Sequence, residues 1–286
     1  MSGILILNNP IKKDYSNIYS QFLSKLYPDI KLIDILIISQ ISNSDDLNFI
    51  LSDIYSTIRS KATKLGLDYT FEINVIFNKL DVNVDQYTIV SKSNDVSVEK
   101  YEGVKSLDEL IVEKQHIDNH KKSDNTFQNF PVVAVGGTFD HMHDGHKILL
   151  SMASFLTSKT LIVGITGPKL LVNKKYKEYL ESYHVREATV KSFITKISSE
   201  TIALDCYMIE DVCGPTGFIK EIDALIVSAE SAKGGDFVNN FRKEKEFPPL
   251  KIIKIEVIGG QGNEENNWEG KLSSTDIRKE ESMKKQ

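Results

Sequence analysis

Between Gly136 and His146 the sequence reads GGTFDHMHDGH, and this run gathers groups suited to handling a phosphate. Gly136 and Gly137 lack a Cβ, so the backbone there can take positive φ or let a ligand come close. Thr138, Phe139 and Asp140 follow. His143 and His146, three apart around Gly145, fall on one face of a helix start, where both rings can reach neighbouring phosphates of one polyphosphate. An imidazole, neutral or charged, donates a hydrogen bond to an oxygen that gains charge during phosphoryl or nucleotidyl transfer. A helix beginning near Asp144 or Gly145 adds unpaired N–H groups and a positive dipole end aimed at the same loop. The glycines alone would suit an ordinary strand-to-helix turn with surface histidines. Thr138, Asp140, His143, Gly145 and His146 at these spacings favour the phosphate site instead. The glycine spacing matches neither the dinucleotide fingerprint nor a P-loop.

Two further stretches carry related chemistry. Leu272-Ser273-Ser274-Thr275-Asp276-Ile277-Arg278 is, by itself, an ordinary helix-capping pattern. Opposite the histidine loop, its hydroxyls and N–H groups become a second phosphate cradle, and Arg278, one turn further on, could hold a triphosphate through its forked donors. The loop from Gly167 to Lys177 contains four lysines. It reads either as a solvated basic face or as the source of a lysine that stabilises charge on a transferred phosphorus.

The elements that must position these groups are legible from hydrophobic patterning. Val132 to Val135 is a short buried strand that leads through the glycines into the helix after His143. Thr160–Thr166, Ala203–Ile209, Ala224–Val227 and Lys251–Ile258 are further strands, separated by a helix through Val190 and Ile197 and by another beginning at Asn239, Asn240 and Arg242. Strand, helix and strand at this spacing imply a parallel sheet with right-handed crossovers. Ligands of such sheets bind beyond the carboxyl ends of the strands, which is where the loop after Thr166 lies. Upstream, strands at Gly3–Leu7, Lys31–Ser39, Phe71–Phe77 and Gln86–Val90, with helices through Phe22 and Ile54, form a smaller α/β unit without a catalytic pattern. The expected organisation is an α/β chain. An N-terminal α/β domain spans residues 1–92 and a polar linker 93–129, followed by a Rossmann-like, doubly wound parallel-sheet domain over 130–286.

The two motifs, GGTFDHMHDGH and LSSTDIR, resemble the HxGH and ISSTxIR signatures of the nucleotidyltransferase superfamily. With VSAESAKGG from Val227 to Gly235, the stretch from Phe130 to Arg278 is most similar to the eukaryotic, yeast-like family of phosphopantetheine adenylyltransferases. The resemblance implies transfer of AMP from ATP to 4′-phosphopantetheine, with magnesium bound through the ATP phosphates and no protein metal cage. It implies ATP contacts from Gly136, Gly137, Thr138, Phe139, His143, Gly145, His146, Ser273, Ser274, Thr275 and Arg278. Chemistry would rest on His146, Lys174 and Thr138, with Lys169 the second choice of lysine. The acceptor would meet Thr138, Lys169, Lys174 and Asp211. Glu181, Tyr183, Val185 and Arg186 resemble the family's E-x-Y-x-V-R segment, whose arginine braces the site. Bacterial members carry an arginine-bearing sequence after the fourth strand where this chain has Val227-Ser228-Ala229-Glu230, which leaves Lys233 or Arg242 to neutralise the outer phosphates. A sister cytidylyltransferase, a mononucleotide adenylyltransferase and a silent scaffold of a coenzyme A-making assembly are the alternatives.

Composition narrows the classes. The 286 residues are 41% hydrophobic and 26% charged with a net charge of −5, so nucleic acid and anionic membrane are not attracted globally. No apolar run approaches membrane-spanning length, and a cytoplasmic or also nuclear location is expected. Cys206 and Cys213 suit buried apolar positions better than a metal or disulfide framework, and His116 with His120 lacks further ligands. No P-loop pattern occurs, so phosphorylation of a dephospho-CoA product would need another protein. Other coenzyme A enzymes are candidate partners of the N-terminal domain.

Overall fold

A computed structural model describes residues 1–79, 81–93, 105–107, 112–113, 129–198, 201–257 and 272–284. The chain divides into two compact units, Met1–Phe127 and Gln128–Gln286.

In the first unit, β1 (Ser2–Leu7), β2 (Lys13–Asp14), α1 (Ser16–Leu26), β3 (Leu32–Ile37), α2 (Ser44–Lys64), β4 (Glu72–Phe77) and β5 (Ile89–Ser93) follow in order. Isoleucine and leucine dominate β1 and β3 because both faces of these strands are buried, which removes the need for alternation. Asn43 starts α2, its side chain accepting from the Asp45 and Asp46 amides, as the Asn-Ser-Asp-Asp run predicts. Within the stretch expected as a linker, β6 (Lys105–Leu107) joins the sheet beside β5, and β7 (Val112–Glu113) pairs with β2. The paired histidines 116 and 120 lie outside the described residues.

The second unit begins with β8 (Phe130–Gly137), α3 (Asp144–Phe155), β9 (Thr157–Thr166), α4 (Tyr183–Ile197) and β10 (Ala203–Ile209). It continues through β11 (Ala224–Ser228), α5 (Ala232–Glu244), β12 (Lys251–Ile255) and α6 (Ser274–Lys284). Its five strands are parallel in the order β10-β9-β8-β11-β12. The first unit has the same plan, β4-β3-β1-β5-β6, also parallel. In strand sequence both read third, second, first, fourth, fifth.

That order puts a switch point between β8 and β11, where successive crossovers leave in opposite directions and a crevice opens at the carboxyl ends. Beneath it, Ala134, Ile162, Leu225 and Val227 pack with Cys213, Ile222, Val238 and Leu250. Cys213 therefore serves as a small core residue. Burial pushes the half-buried Cys206 thiol up to about 11, so neither sulfur is a ready thiolate. Among the described residues no helix is long and apolar enough to cross a membrane.

One helix differs from expectation. The segment containing Asn239, Asn240 and Arg242 is the end of α5, not its beginning, because the helix runs straight through Gly234 and Gly235. A Cβ on Gly235 would stand 2.9 Å from Ile252 Cγ2, so the glycine lets α5 lie close on β12.

Candidate active site

The loop between β8 and α3 is held by donors from three other elements. Thr166 Oγ1, at the end of β9, donates to the Gly137 carbonyl at 3.1 Å. Arg186 of α4 donates to the Thr138 carbonyl at 2.7 Å and to the Thr166 carbonyl at 3.0 Å. Ser274 of α6 donates to the Asp140 carbonyl at 2.8 Å. Arg186 is 1% exposed and braces the site, the part expected of its segment.

Positive φ falls on Phe139 (52°) and His141 (44°), and neither Gly136 nor Gly137 adopts it. The glycines act through space instead. A Cβ on Gly137 would meet the Phe139 ring at 3.0 Å, and one on Gly145 would meet the His143 ring at 3.3 Å. Room at Gly145 lets the His143 ring stack on His146, centroids 3.8 Å apart and 24° from parallel, while Phe139 flanks His146 at 5.4 Å. Burial, then the proximity of His143 and of Lys174, holds the His146 imidazole well below its ordinary value, so it is neutral at pH 7. Its Nδ1 is buried with no hydrogen-bond partner among the described residues.

The lysines of the following loop separate clearly. Lys174 lies close enough for its charge to act on His146. Lys169 points elsewhere, its Nζ 2.7 Å from Glu210 on an exposed surface. Asp211, expected near the acceptor, uses Oδ1 to accept from the Cys213 and Gly214 amides and so closes the turn after β10.

Arg242, one of two cations suggested for the outer phosphates, is 0% exposed. It donates to the carbonyls of Pro248, Thr216, Ile219, Lys220 and Ile222, so its donors are consumed in knotting α5 to the chain before β11 and β12. Lys233, in the first turn of α5 beyond the carboxyl end of β11, keeps an exposed position.

The second motif arrives beside the first. Ser273 caps α6 by accepting from the Asp276 amide at 3.2 Å. Arg278, expected to face a triphosphate, is 2% exposed and all three of its nitrogens donate to protein. Nη1 bonds the Asp140 carboxylate, Nε the Lys175 carbonyl at 3.1 Å, and Nη2 Thr275 Oγ1 at 3.2 Å. Asp140 itself, 0% exposed, is a hub whose partners the sequence does not announce. Besides Arg278 and Ser274 it accepts from the Glu181 amide at 2.9 Å. Glu181 in turn accepts from the His141 amide and the Arg186 side chain.

A family model described as cytidylyltransferase-like matches residues 134–280, from within β8 to within α6. The phosphopantetheine adenylyltransferase of Saccharomyces cerevisiae is 38% identical over 260 residues, covering 86% of this chain and 82% of that protein. The chain belongs to the phosphopantetheine adenylyltransferase family. Family members from Thermococcus gammatolerans and Thermococcus kodakarensis are 35% and 37% identical, covering 51% and 44% of this chain but 86% and 74% of their own. The yeast match is longer than the whole second unit, so the family likeness to yeast extends into the first. The loop of Thr138, the stacked histidines, Lys174 and the start of α6 all fall inside the span of the family model.

Proposed function

We propose that this protein transfers AMP from ATP to 4′-phosphopantetheine, forming dephospho-CoA and releasing pyrophosphate. An oxygen of the acceptor phosphate attacks the α-phosphorus, and the bond to the bridging oxygen of the β-phosphate breaks. The nucleophile is already anionic, so no strong base is required, and the barrier falls through alignment and charge stabilisation. The neutral His146 donates to an α-phosphate oxygen, and Lys174 spans the α-phosphate and the acceptor phosphate. Thr138 positions the acceptor. His143 and the amides and hydroxyls of Ser273, Ser274 and Thr275 receive the β and γ phosphates at the start of α6. Gly136, Gly137 and Gly145 leave room, Phe139 supports His146, and Lys233 meets the outer phosphate. The observation that carries this reading is the bond from Ser274 to the Asp140 carbonyl, which joins two motifs 134 residues apart into one crevice.

Magnesium would travel on the nucleotide. The Asp140 carboxylate is committed to Arg278 and the Glu181 amide, and among the described residues no three His, Cys, Asp or Glu side chains are placed to hold a metal ion together. The ion would add positive charge across phosphate oxygens. Pyrophosphate release measured with ATP and CTP against 4′-phosphopantetheine, nicotinamide mononucleotide and phosphocholine tests the assignment. ATP with 4′-phosphopantetheine should give by far the highest kcat/KM, and a preference for CTP or another acceptor would overturn it. His146→Ala should lower kcat by about 10²–10³-fold with an unchanged circular dichroism spectrum.

A further inference from the structure

Resting on that reading of the site, a second role follows from how Arg278 is buried. We infer that Arg278 and Asp140 are a positioning pair that sets the spacing between the histidine loop and the lysine loop, and that neither contacts the triphosphate. The guanidinium grips the histidine loop through the Asp140 carboxylate and the lysine loop through the Lys175 carbonyl, one residue from Lys174. It also bonds Thr275 at the head of its own helix. A single side chain thus connects the three segments proposed to surround ATP.

Electrostatics favours the same arrangement. Asp140 is 0% exposed and sits two residues from Thr138, where an uncompensated carboxylate would repel a polyphosphate. Arg278 cancels that charge within the protein. Drawing the guanidinium out toward a phosphate would strand a buried carboxylate, a costly exchange. The Glu181 amide and the His141 ring, 3.8 Å from Asp140 Oδ1, complete the surroundings of the carboxylate, and Glu281 of α6 lies 3.8 Å from the same ring.

The pair is tested with Arg278→Gln, Arg278→Lys and the double variant Asp140→Asn/Arg278→Gln, using the full chain. Isothermal titration with magnesium ATP and with AMP reads the outer phosphates directly. If Arg278 is a positioning residue, Arg278→Gln keeps the wild-type preference for ATP over AMP within about threefold while kcat falls at least tenfold. The His146 imidazole, followed by NMR, should then titrate at higher pH than in the wild type, because Lys174 is no longer held beside it. Arg278→Lys should resemble Arg278→Gln, since an ammonium cannot span three acceptors in the guanidinium's geometry. Should Arg278→Gln unfold, the double variant, which replaces the ion pair with two amides, carries the same two measurements. Loss of the ATP preference by tenfold or more would overturn the pair, as would an unmoved His146 titration with unchanged kcat. The nucleotide titrations and the His146 titration need only magnesium, ATP, AMP and protons, and do not depend on the acceptor. A wild-type protein that fails to adenylate 4′-phosphopantetheine would overturn the proposed reaction and leave the pair standing.

Discussion

A proton on His146 would find the His143 ring stacked 3.8 Å away and the Lys174 charge close by, with little water to screen either. The native pKa therefore lies well below 6.5. At pH values between that depressed value and 6.5 the unfolded chain takes up a proton that the native ring refuses, so this histidine weakens stability as pH falls through the window. Above 6.5 its contribution is flat. Imidazole signals followed from pH 8 to 5 should show one ring titrating well below the ordinary 6.5, and His146→Gln should remove that signal and flatten the matching part of the stability profile. The lysines divide as sharply. Lys174→Ala should cost about 10²–10³-fold in kcat/KM if it stabilises charge at the transferred phosphorus. Lys169→Ala loses only an exposed ion pair, worth roughly 0–1 kcal/mol, and should leave turnover nearly unchanged.

At the scale of elements, tight turns carry as much constraint as strands. Gly214 has φ +44° and a Cβ there would lie 2.3 Å from Ile209 Cγ2. Gly214→Ala should destabilise the second unit by about 2–4 kcal/mol, combining backbone strain with overpacking, and a lower urea midpoint would register it. Strands and helices of this chain were largely readable because isoleucine-rich runs and capping residues such as Asn43 and Ser273 act locally. Both motifs were readable too, since spacing alone puts His143 and His146 on one helical turn. What sequence could not supply was the partner of each buried charge. Nothing near Asp140 announces Arg278, and nothing near Arg242 announces five carbonyls. The start of α5 was misplaced for a related reason, as Gly234 and Gly235 resemble helix breakers until the tight packing of Gly235 on Ile252 is seen. Asp211 and Lys169 were placed near the acceptor by their position after strands, and sequence did not announce the local amides that Asp211 accepts or the Glu210 partner of Lys169.

The whole molecule repeats one strand order in two units, yet the stacked histidines and hydroxyl-rich helix start belong to the second alone. Magnesium ATP at 100 times its dissociation constant should add about 2.7 kcal/mol of stability to the second unit, read by calorimetry as a higher unfolding temperature. An unmoved transition would contradict nucleotide binding there. The distance along the chain between Asp140 and Arg278 also bears on how the protein is made. At about 5–20 residues per second of synthesis, the aspartate waits roughly 7–28 s before its arginine exists. Throughout that interval a growing polypeptide carries the histidine loop with its buried carboxylate still unmatched, and the ion pair closes only once α6 has emerged.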